Sequence, residues 1–145
     1  MEIIDVREIE PRIRHETIFD RLDSLDPGES LRLVVDHDPV PLRYQLDATR
    51  TSQFNWTPVM SGPEEWQIDI ICRAHVLDAR PILDRGDEPF DAIMNTAEQV
   101  GPDEALIVLA PFEPVPLEGV LSEQGFDYSA QELDGGDWRV VFERA

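Results

Sequence analysis

The side chains of this sequence that could support a site fall in two short stretches. Residues 36–38, which read Asp-His-Asp, directly follow an apolar run at residues 30–35. His15 lies in a stretch that follows another apolar run, at residues 3–7. Ligand-binding side chains of α/β proteins commonly lie just after a strand, so both stretches are candidate parts of a site. No motif in the sequence fixes a reaction.

The two stretches are expected to meet in space. If a right-handed crossover joins the first two strands, these strands run parallel and end at the same edge of the sheet. That edge then collects the loops at residues 7–15 and 36–39, beside two helix N-termini whose free N–H groups favour anions. The candidate site residues at this edge are Arg7, Arg12, Arg14, His15, Asp36, His37 and Asp38.

Three roles are open for this set of residues. Two imidazoles and one carboxylate, from His15, His37 and Asp38, suit a divalent metal ion, and the histidines also suit haem. The arginine cluster suits a small anion or an acidic partner. In a purely structural role, Asp36 and Asp38 accept backbone N–H bonds at the turn and the helix start. His37 then faces solvent and His15 caps its helix.

Hydrophobic spacing predicts the elements that position these residues. Residues 3–7 are predicted as a first strand, and a helical stripe predicts a helix over residues 15–25. Alternating apolar residues predict a strand at 30–35 and two more that follow a second helix. Pro41 suits the first turn of that second helix, which is predicted to end near Thr49.

The same order of elements begins again with a period of about 73 residues. An Asp-x-Arg motif at residues 5–7 recurs at 78–80. A segment that reads acidic-Pro-Val-Pro-Leu at residues 38–42 recurs at 113–117. Because turns and motifs keep their order, the sequence is interpreted as a tandem duplication.

Each repeat is predicted as a β-α-β-α-β-β unit, the first over residues 1–72 and the second over residues 73–145. The predicted fold class is α/β, an α+β two-layer sandwich. In each unit a four-stranded mixed sheet carries two helices on one face. Trp66 and Trp138, at matching strand positions, are interpreted as core residues.

The second repeat is degenerate at the candidate site. Phe90 and Phe112 stand in the places of His15 and His37, so any binding or chemistry is expected in the first repeat. The strand at residues 105–110 is apolar on both sides, which predicts burial of both its faces, against the first repeat or another subunit. We therefore predict a protein partner or a homo-oligomer through the second repeat.

The composition is strongly acidic. The chain has 31 acidic and 12 basic residues, the latter all arginine, and a net charge of −19. Molar salt shortens the screening length to about 3 Å and removes most of the resulting self-repulsion, so the composition predicts a saline cytoplasm. It also excludes nucleic acid as a partner, because phosphate binding needs clustered positive charge.

The absence of an apolar span or leader and the cysteine count also indicate a cytoplasmic protein. No apolar run approaches the roughly 20 residues that a membrane span needs, and the N-terminus lacks a basic region followed by an apolar one. The protein is therefore expected to be cytoplasmic, with no membrane partner. Cys72, the single cysteine, rules out an internal disulfide and a multi-cysteine zinc site. Both Cys72 and His75 are assigned to the linker between the repeats, with His75 solvated.

These motifs together resemble domain-of-unknown-function family 2249, a relative of the TusA/SirA-like sulfur-carrier fold. The resemblance covers nearly all of residues 1–72 and, more loosely, residues 73–145. The motifs that carry it are Asp5-x-Arg7, Arg14-His15, residues 26–31, residues 36–45 and Gly62-Pro63-x-x-Trp66.

The resemblance implies a two-layer sandwich, in agreement with the pattern of elements. TusA-like carriers hold persulfide on a Cys-Pro pair shortly after the Asp-x-Arg motif, where this chain has Pro11 and Asp84, so sulfur transfer is not expected. Members of the family often sit beside hemerythrin-like domains, which implies a role near redox, nitrogen-oxide or iron metabolism. We predict an accessory or binding module that is not an enzyme. The alternative is a small metal protein or enzyme that uses His15, His37 and Asp38.

Overall fold

The structure, a computed structural model, describes residues 2–145 and divides into two compact units. The first unit ends at Arg73 and the second begins at Ala74. Each unit is a four-stranded mixed sheet with two principal helices packed on one face, so the predicted fold class and duplication are confirmed.

The first unit has the strand order β1-β2-β4-β3. β1 and β2 are parallel, as predicted, and the other two pairs are antiparallel. Its elements are β1 (Glu2–Asp5), α1 (Pro11–Asp23), β2 (Ser30–Val35), α2 (Val40–Thr49), β3 (Phe54–Ser61) and β4 (Trp66–Cys72).

The second unit repeats this topology in the strand order β5-β6-β8-β7. The stretch between its Asp-x-Arg motif and its first long helix is longer than in the first unit, and the extra residues form the five-residue helix α3. Its elements are β5 (Ala74–Asp78), α3 (Arg80–Asp84), α4 (Phe90–Glu98), β6 (Ala105–Ala110), α5 (Val115–Glu123), β7 (Phe126–Glu132) and β8 (Trp138–Arg144).

Helix α1 begins earlier than the sequence predicts. The helical stripe placed its start at His15, whereas the helix starts at Pro11, which occupies its first turn. A proline is compatible with this position because it lacks only an N–H that would have no partner within the helix. As a result His15 lies one turn inside the helix and does not cap it, which corrects the structural role predicted for it.

The core of each unit lies between the helices and one face of the sheet. In the first unit Leu22 of α1 packs with Leu31, Leu33 and Ile70 of the sheet, and all four are fully buried. Truncating one such leucine to alanine typically costs about 2–5 kcal/mol. The candidate loops at residues 7–10 and 36–39 are therefore anchored on a rigid layer.

Strand β6 is buried on both faces, as its composition predicts. Leu106 and Val108 face the helices, whereas Ala105 and Ile107 belong to a separate apolar cluster on the opposite face of the sheet. No helix within residues 2–145 is long and apolar enough to cross a membrane.

Glu118 is a buried acidic residue of the second unit. It lies in the first turn of α5, its side chain is 2% exposed, and its Oε2 atom has no hydrogen-bond partner among residues 2–145. Burial, together with the neighbouring Glu113 carboxyl, raises the pKa of Glu118. A raised pKa means that the folded state holds this proton more tightly than the unfolded chain does.

We therefore expect stability to fall as pH rises above about 4.5, the ordinary pKa of a glutamate, through the raised pKa of Glu118. The substitution Glu118→Gln removes this ionisation, so the variant should be more stable than the wild type at neutral pH by about 1 kcal/mol. Urea unfolding from acid to neutral pH measures the difference. Glu123→Gln, on the exposed end of the same helix, is the control, and equal pH profiles for all three proteins would contradict the assignment.

Candidate functional site

A cleft opens in the first unit at the edge where β1 and β2 end, and we call it the histidine cleft. It has a volume of about 130 Å³. Its polar lining comes from Arg14 and His15 of α1 and from His37 of the loop after β2. Its apolar lining comes from Val6, Pro11, Ile18, Val35, Pro39, Pro41 and Leu42. The two candidate stretches therefore meet as predicted.

His37 is oriented by the residue before it. Its Nδ1 atom lies 2.8 Å from Asp36 Oδ1, and because a carboxylate only accepts, Nδ1 carries the proton. The same oxygen accepts a bond from Arg14 Nη1 at 3.1 Å. The bonds from His37 and Arg14 lower the pKa of Asp36, which therefore keeps its charge. In the neutral imidazole the lone pair is left on Nε2.

His15 is fixed in a similar way from the second helix. Its Nδ1 atom lies 2.8 Å from Gln45 Oε1, and its ring meets Phe19 edge to face. An amide oxygen accepts, so Nδ1 again carries the proton. Neither histidine has a partner at Nε2 among residues 2–145, and both line the same cleft.

Arg14 forms one wall of the histidine cleft and is only 8% exposed. Its Nε donates to the carbonyl of Ile9 at 2.7 Å, and its Nη2 donates to the carbonyl of Arg7 at 3.0 Å. Together with the bond to Asp36, these contacts tie the loop after β1 to the loop after β2. Arg14 is thus a positioning residue whose guanidinium is already engaged.

Arg7 and Arg12, the other predicted anion-binding arginines, lie outside the histidine cleft. Arg7 forms a two-point contact with Asp5, at 2.9 Å and 2.6 Å, and a third bond to Glu65 at 2.6 Å. Arg12 pairs with Glu10 on the surface. The structure therefore does not gather the three arginines around one anion.

Asp38 is also outside the histidine cleft. Its Oδ1 atom accepts the backbone N–H of Val40 at the start of α2, at 3.2 Å, which is the structural role predicted for it. Residues 2–145 contain no group of three histidine, cysteine, aspartate or glutamate side chains placed to hold a metal ion. The predicted set of His15, His37 and Asp38 is thus reduced to its two histidines, because Asp38 lies outside the cleft and accepts the N–H of Val40.

The second unit has an equivalent cleft, the phenylalanine cleft, with about twice the volume, 270 Å³. Phe90 and Phe112 occupy the places of the two histidines and are 41% and 52% exposed. Its lining is almost entirely apolar, so duplication has produced one polar cleft and one apolar cleft on the same backbone plan. The lining residues are Ala79, Leu83, Glu88, Pro89, Phe90, Ile93, Val108, Ala110, Phe112, Pro114, Pro116 and Leu117.

Two residues assigned to the linker belong to strands. Cys72 is the last residue of β4 and is buried. His75 lies in β5, where its Nε2 atom is 3.0 Å from Glu104 Oε1 and its side chain is 15% exposed, so the expectation that it is solvated was wrong. The linker is shorter than the sequence indicated because β4 and β5 are separated by a single residue.

An ion-pair network around the Asp-x-Arg motif recurs in both units, and we call it the arginine clamp. In the second unit Arg80 binds Asp78 at two points, both at 2.8 Å, and Asp137 at 2.7 Å. Asp137 precedes Trp138, as Glu65 precedes Trp66 in the first unit. The repeated Asp-x-Arg motif, combined with an acidic residue before each repeated tryptophan, was the available signal. The hydrogen bonds from the arginine lower the pKa of Asp5 and of Asp78.

The fold and the two clefts define a duplicated α/β sandwich with one conserved plan and two different cleft linings. The model of an uncharacterised conserved protein family, DUF2249, matches residues 3–72 and again residues 76–144. The chain therefore belongs to this family and contains its domain twice. No curated protein and no solved structure matches the chain.

The clamp gives a stability prediction. Arg7→Gln leaves the carboxylates of Asp5 and Glu65 unpaired, so we expect a lower midpoint of thermal unfolding at neutral pH. Because Arg7 lowers the pKa of Asp5, its contribution is present above the ordinary pKa of aspartate and is lost as pH falls through the lowered value. The difference from the wild type should therefore shrink in acid.

Arg12→Gln is the matched control for this experiment. The Arg12 side chain is 78% exposed and pairs with a near neighbour in sequence, so its loss should change the midpoint little. Equal effects of the two substitutions would contradict a special role for the clamp.

Proposed function

We propose that the protein is a binding module rather than an enzyme, and that the histidine cleft binds a borderline divalent metal ion through Nε2 of His15 and Nε2 of His37. The observation that carries the proposal is that these two imidazoles line one cleft and that each Nδ1 is already hydrogen-bonded. A neutral imidazole so held offers a lone pair, which favours a metal ion over an anion.

The groups around His37 support this proposal. A metal-binding histidine usually donates its second ring N–H to a carboxylate or carbonyl, which fixes the ring and makes the ligand atom more basic. Asp36 does this for His37, and Gln45 supplies an amide oxygen to His15. Two protein ligands leave positions open for water or a small molecule. A haem is larger than the histidine cleft, so of the two predicted cofactors the cleft favours the metal ion.

Titration with Co²⁺ and Zn²⁺, followed by visible absorption and calorimetry, tests the proposal. We expect one metal equivalent per chain in the wild type. His15→Phe and His37→Phe should each abolish saturable binding at that site, and both introduce the residue that the second unit carries at the same place. Asp36→Asn should weaken binding by about 10- to 100-fold, as loss of an outer-shell partner does.

His75→Gln is the matched control, because His75 is the third histidine and lies in the second unit. It should bind metal as the wild type does. Metal uptake that is unchanged in His37→Phe, or lost equally in His75→Gln, would overturn the proposal.

We also propose a relationship to the TusA-like sandwich without sulfur transfer, and a role near redox, nitrogen-oxide or iron metabolism. The element order of each unit supports the first part, and a metal site with open positions suits the second. Burial of Cys72 at the end of β4 supports the absence of sulfur transfer. Formation of a persulfide on Cys72 from a sulfur donor would contradict it.

The phenylalanine cleft leads us to propose a protein partner for the second unit. Phe90 and Phe112 are exposed beside Glu88 on a chain with a net charge of −19, so the favoured partner is a segment that combines an apolar anchor with basic residues. At low salt, charge repulsion disfavours a second copy, so we expect a monomer in sedimentation experiments under that condition. A dimer that Phe112→Ser dissociates would identify a second copy as the occupant instead.

The acidic, lysine-free composition supports a saline cytoplasm as the proposed compartment. An unfolding free energy that decreased between low and molar salt would contradict this.

A further inference from the structure

A second cleft in the first unit lies on the other side of the start of α2, and we call it the tryptophan cleft. It has a volume of about 320 Å³ and shares only Pro39 with the histidine cleft. Its main side chains are Arg43 of α2, Trp56, Pro58 and Met60 of β3, and Trp66 of β4, with Asp38 at its edge. Small-molecule sites typically have this size and combine apolar or aromatic walls with a few polar groups.

Arg43 differs from the other arginines of the first unit. Its guanidinium lies 5.9 Å from the centre of the Trp56 ring and forms no hydrogen bond or ion pair with residues 2–145. Every other arginine of this unit has a carboxylate or carbonyl partner. These are Arg7, Arg12, Arg14, Arg21, Arg32, Arg50 and Arg73. In this acidic chain Arg43 is thus an exposed cation that lines a cleft without an anionic partner, so its guanidinium is available to pair with a ligand.

The two tryptophans are held in place but only partly covered. The turn before β4 presses on Trp66, since a Cβ atom at Gly62 would lie 2.5 Å from Trp66 Cζ2, and Gly62 also has a φ of +79°. A glycine is therefore required there for the ring to keep its position. A register shift between Pro58 and Met60 bends β3 beside the cleft.

We propose that the tryptophan cleft binds a planar aromatic compound that carries one carboxylate. Exposed indole rings stack on flat aromatic faces, and a guanidinium pairs with a carboxylate through two parallel N–H···O bonds. Asp38 at the edge of the cleft repels a second negative charge, so a monoanion is preferred to a dianion or a phosphate.

The second unit again supplies an internal comparison. The positions of Arg43 and Trp56 are occupied there by Glu118 and Tyr128, so the unpaired cation is replaced by a buried carboxyl group. Binding of an aromatic acid is thus confined to the first unit. The proposal does not depend on metal binding at the histidine cleft.

The test uses 2-naphthoate as the probe, with titration followed by calorimetry and by the indole N–H signals of the three tryptophans in NMR spectra. We expect saturable binding that shifts the signals of Trp56 and Trp66 but not that of Trp138. Arg43→Gln should weaken binding about tenfold, whereas Arg12→Gln should leave it unchanged. The neutral 2-naphthamide should bind the wild type about tenfold more weakly and should not distinguish it from Arg43→Gln.

Other results would overturn the proposal. Equal affinity of Arg43→Gln and the wild type for 2-naphthoate would show an apolar surface without carboxylate recognition. Tighter binding of naphthalene dicarboxylate or of inorganic phosphate would contradict the monoanion preference. Absence of saturable binding to the folded wild type would refute the site itself. Because His37→Phe should retain 2-naphthoate binding, failure here and failure of the metal proposal are distinguishable.

Discussion

The arginine clamp is the interaction on which the clefts of both units depend. In each sheet the second strand lies between the first and the fourth, and its carboxyl end is where the loop of the cleft leaves the sheet. Arg7 spans this end, because it binds Asp5 at the end of β1 and Glu65 just before β4. Arg80 does the same with Asp78 and Asp137. The clamp fixes the two strands that flank the second strand of each sheet. The loop that follows the second strand therefore leaves the sheet at a fixed position.

The histidine cleft is built on the clamp of the first unit. Arg14 bonds the backbone carbonyl of Arg7 and the carboxylate of Asp36, and Asp36 in turn orients His37. A displacement of the loop after β1 would therefore reach the imidazole through two hydrogen-bonded side chains. The second unit keeps the clamp but has Phe112 in place of His37. The clamp thus supports the fold of both units. The hydrogen-bonded series from Arg14 through Asp36 to His37 is present only in the first unit.

Fold and cleft differ in how far the sequence predicts them, and the reason is the range of the interactions involved. Apolar periodicity and turn motifs are local, so they predict the order of the elements along the chain, and the crossover rule then places His15 and His37 at one edge. The pairing of Arg7 with Glu65 joins residues 58 positions apart, and a single repeat does not indicate which of its many acidic residues the arginine selects. Only the recurrence of an acidic residue before each repeated tryptophan indicates the partner. The start of α1 was missed because an apolar stripe does not mark a first turn that is exposed and begins with proline.

Ion pairs within the protein also determine which candidate side chains remain available to a ligand. In an acidic chain an arginine finds carboxylates nearby, so arginine clusters in its sequence predict ion pairs rather than anion sites. Arg7 and Arg12 follow this rule, and Arg14 follows it while forming a wall of the cleft. Arg43 departs from it because α2 holds it over Trp56 and no carboxylate or carbonyl oxygen among residues 2–145 accepts a bond from its guanidinium. The duplication then separates two kinds of feature. Those present in both units support the sandwich, whereas the binding proposals rest on Arg43, His15 and His37, which are present in the first unit only.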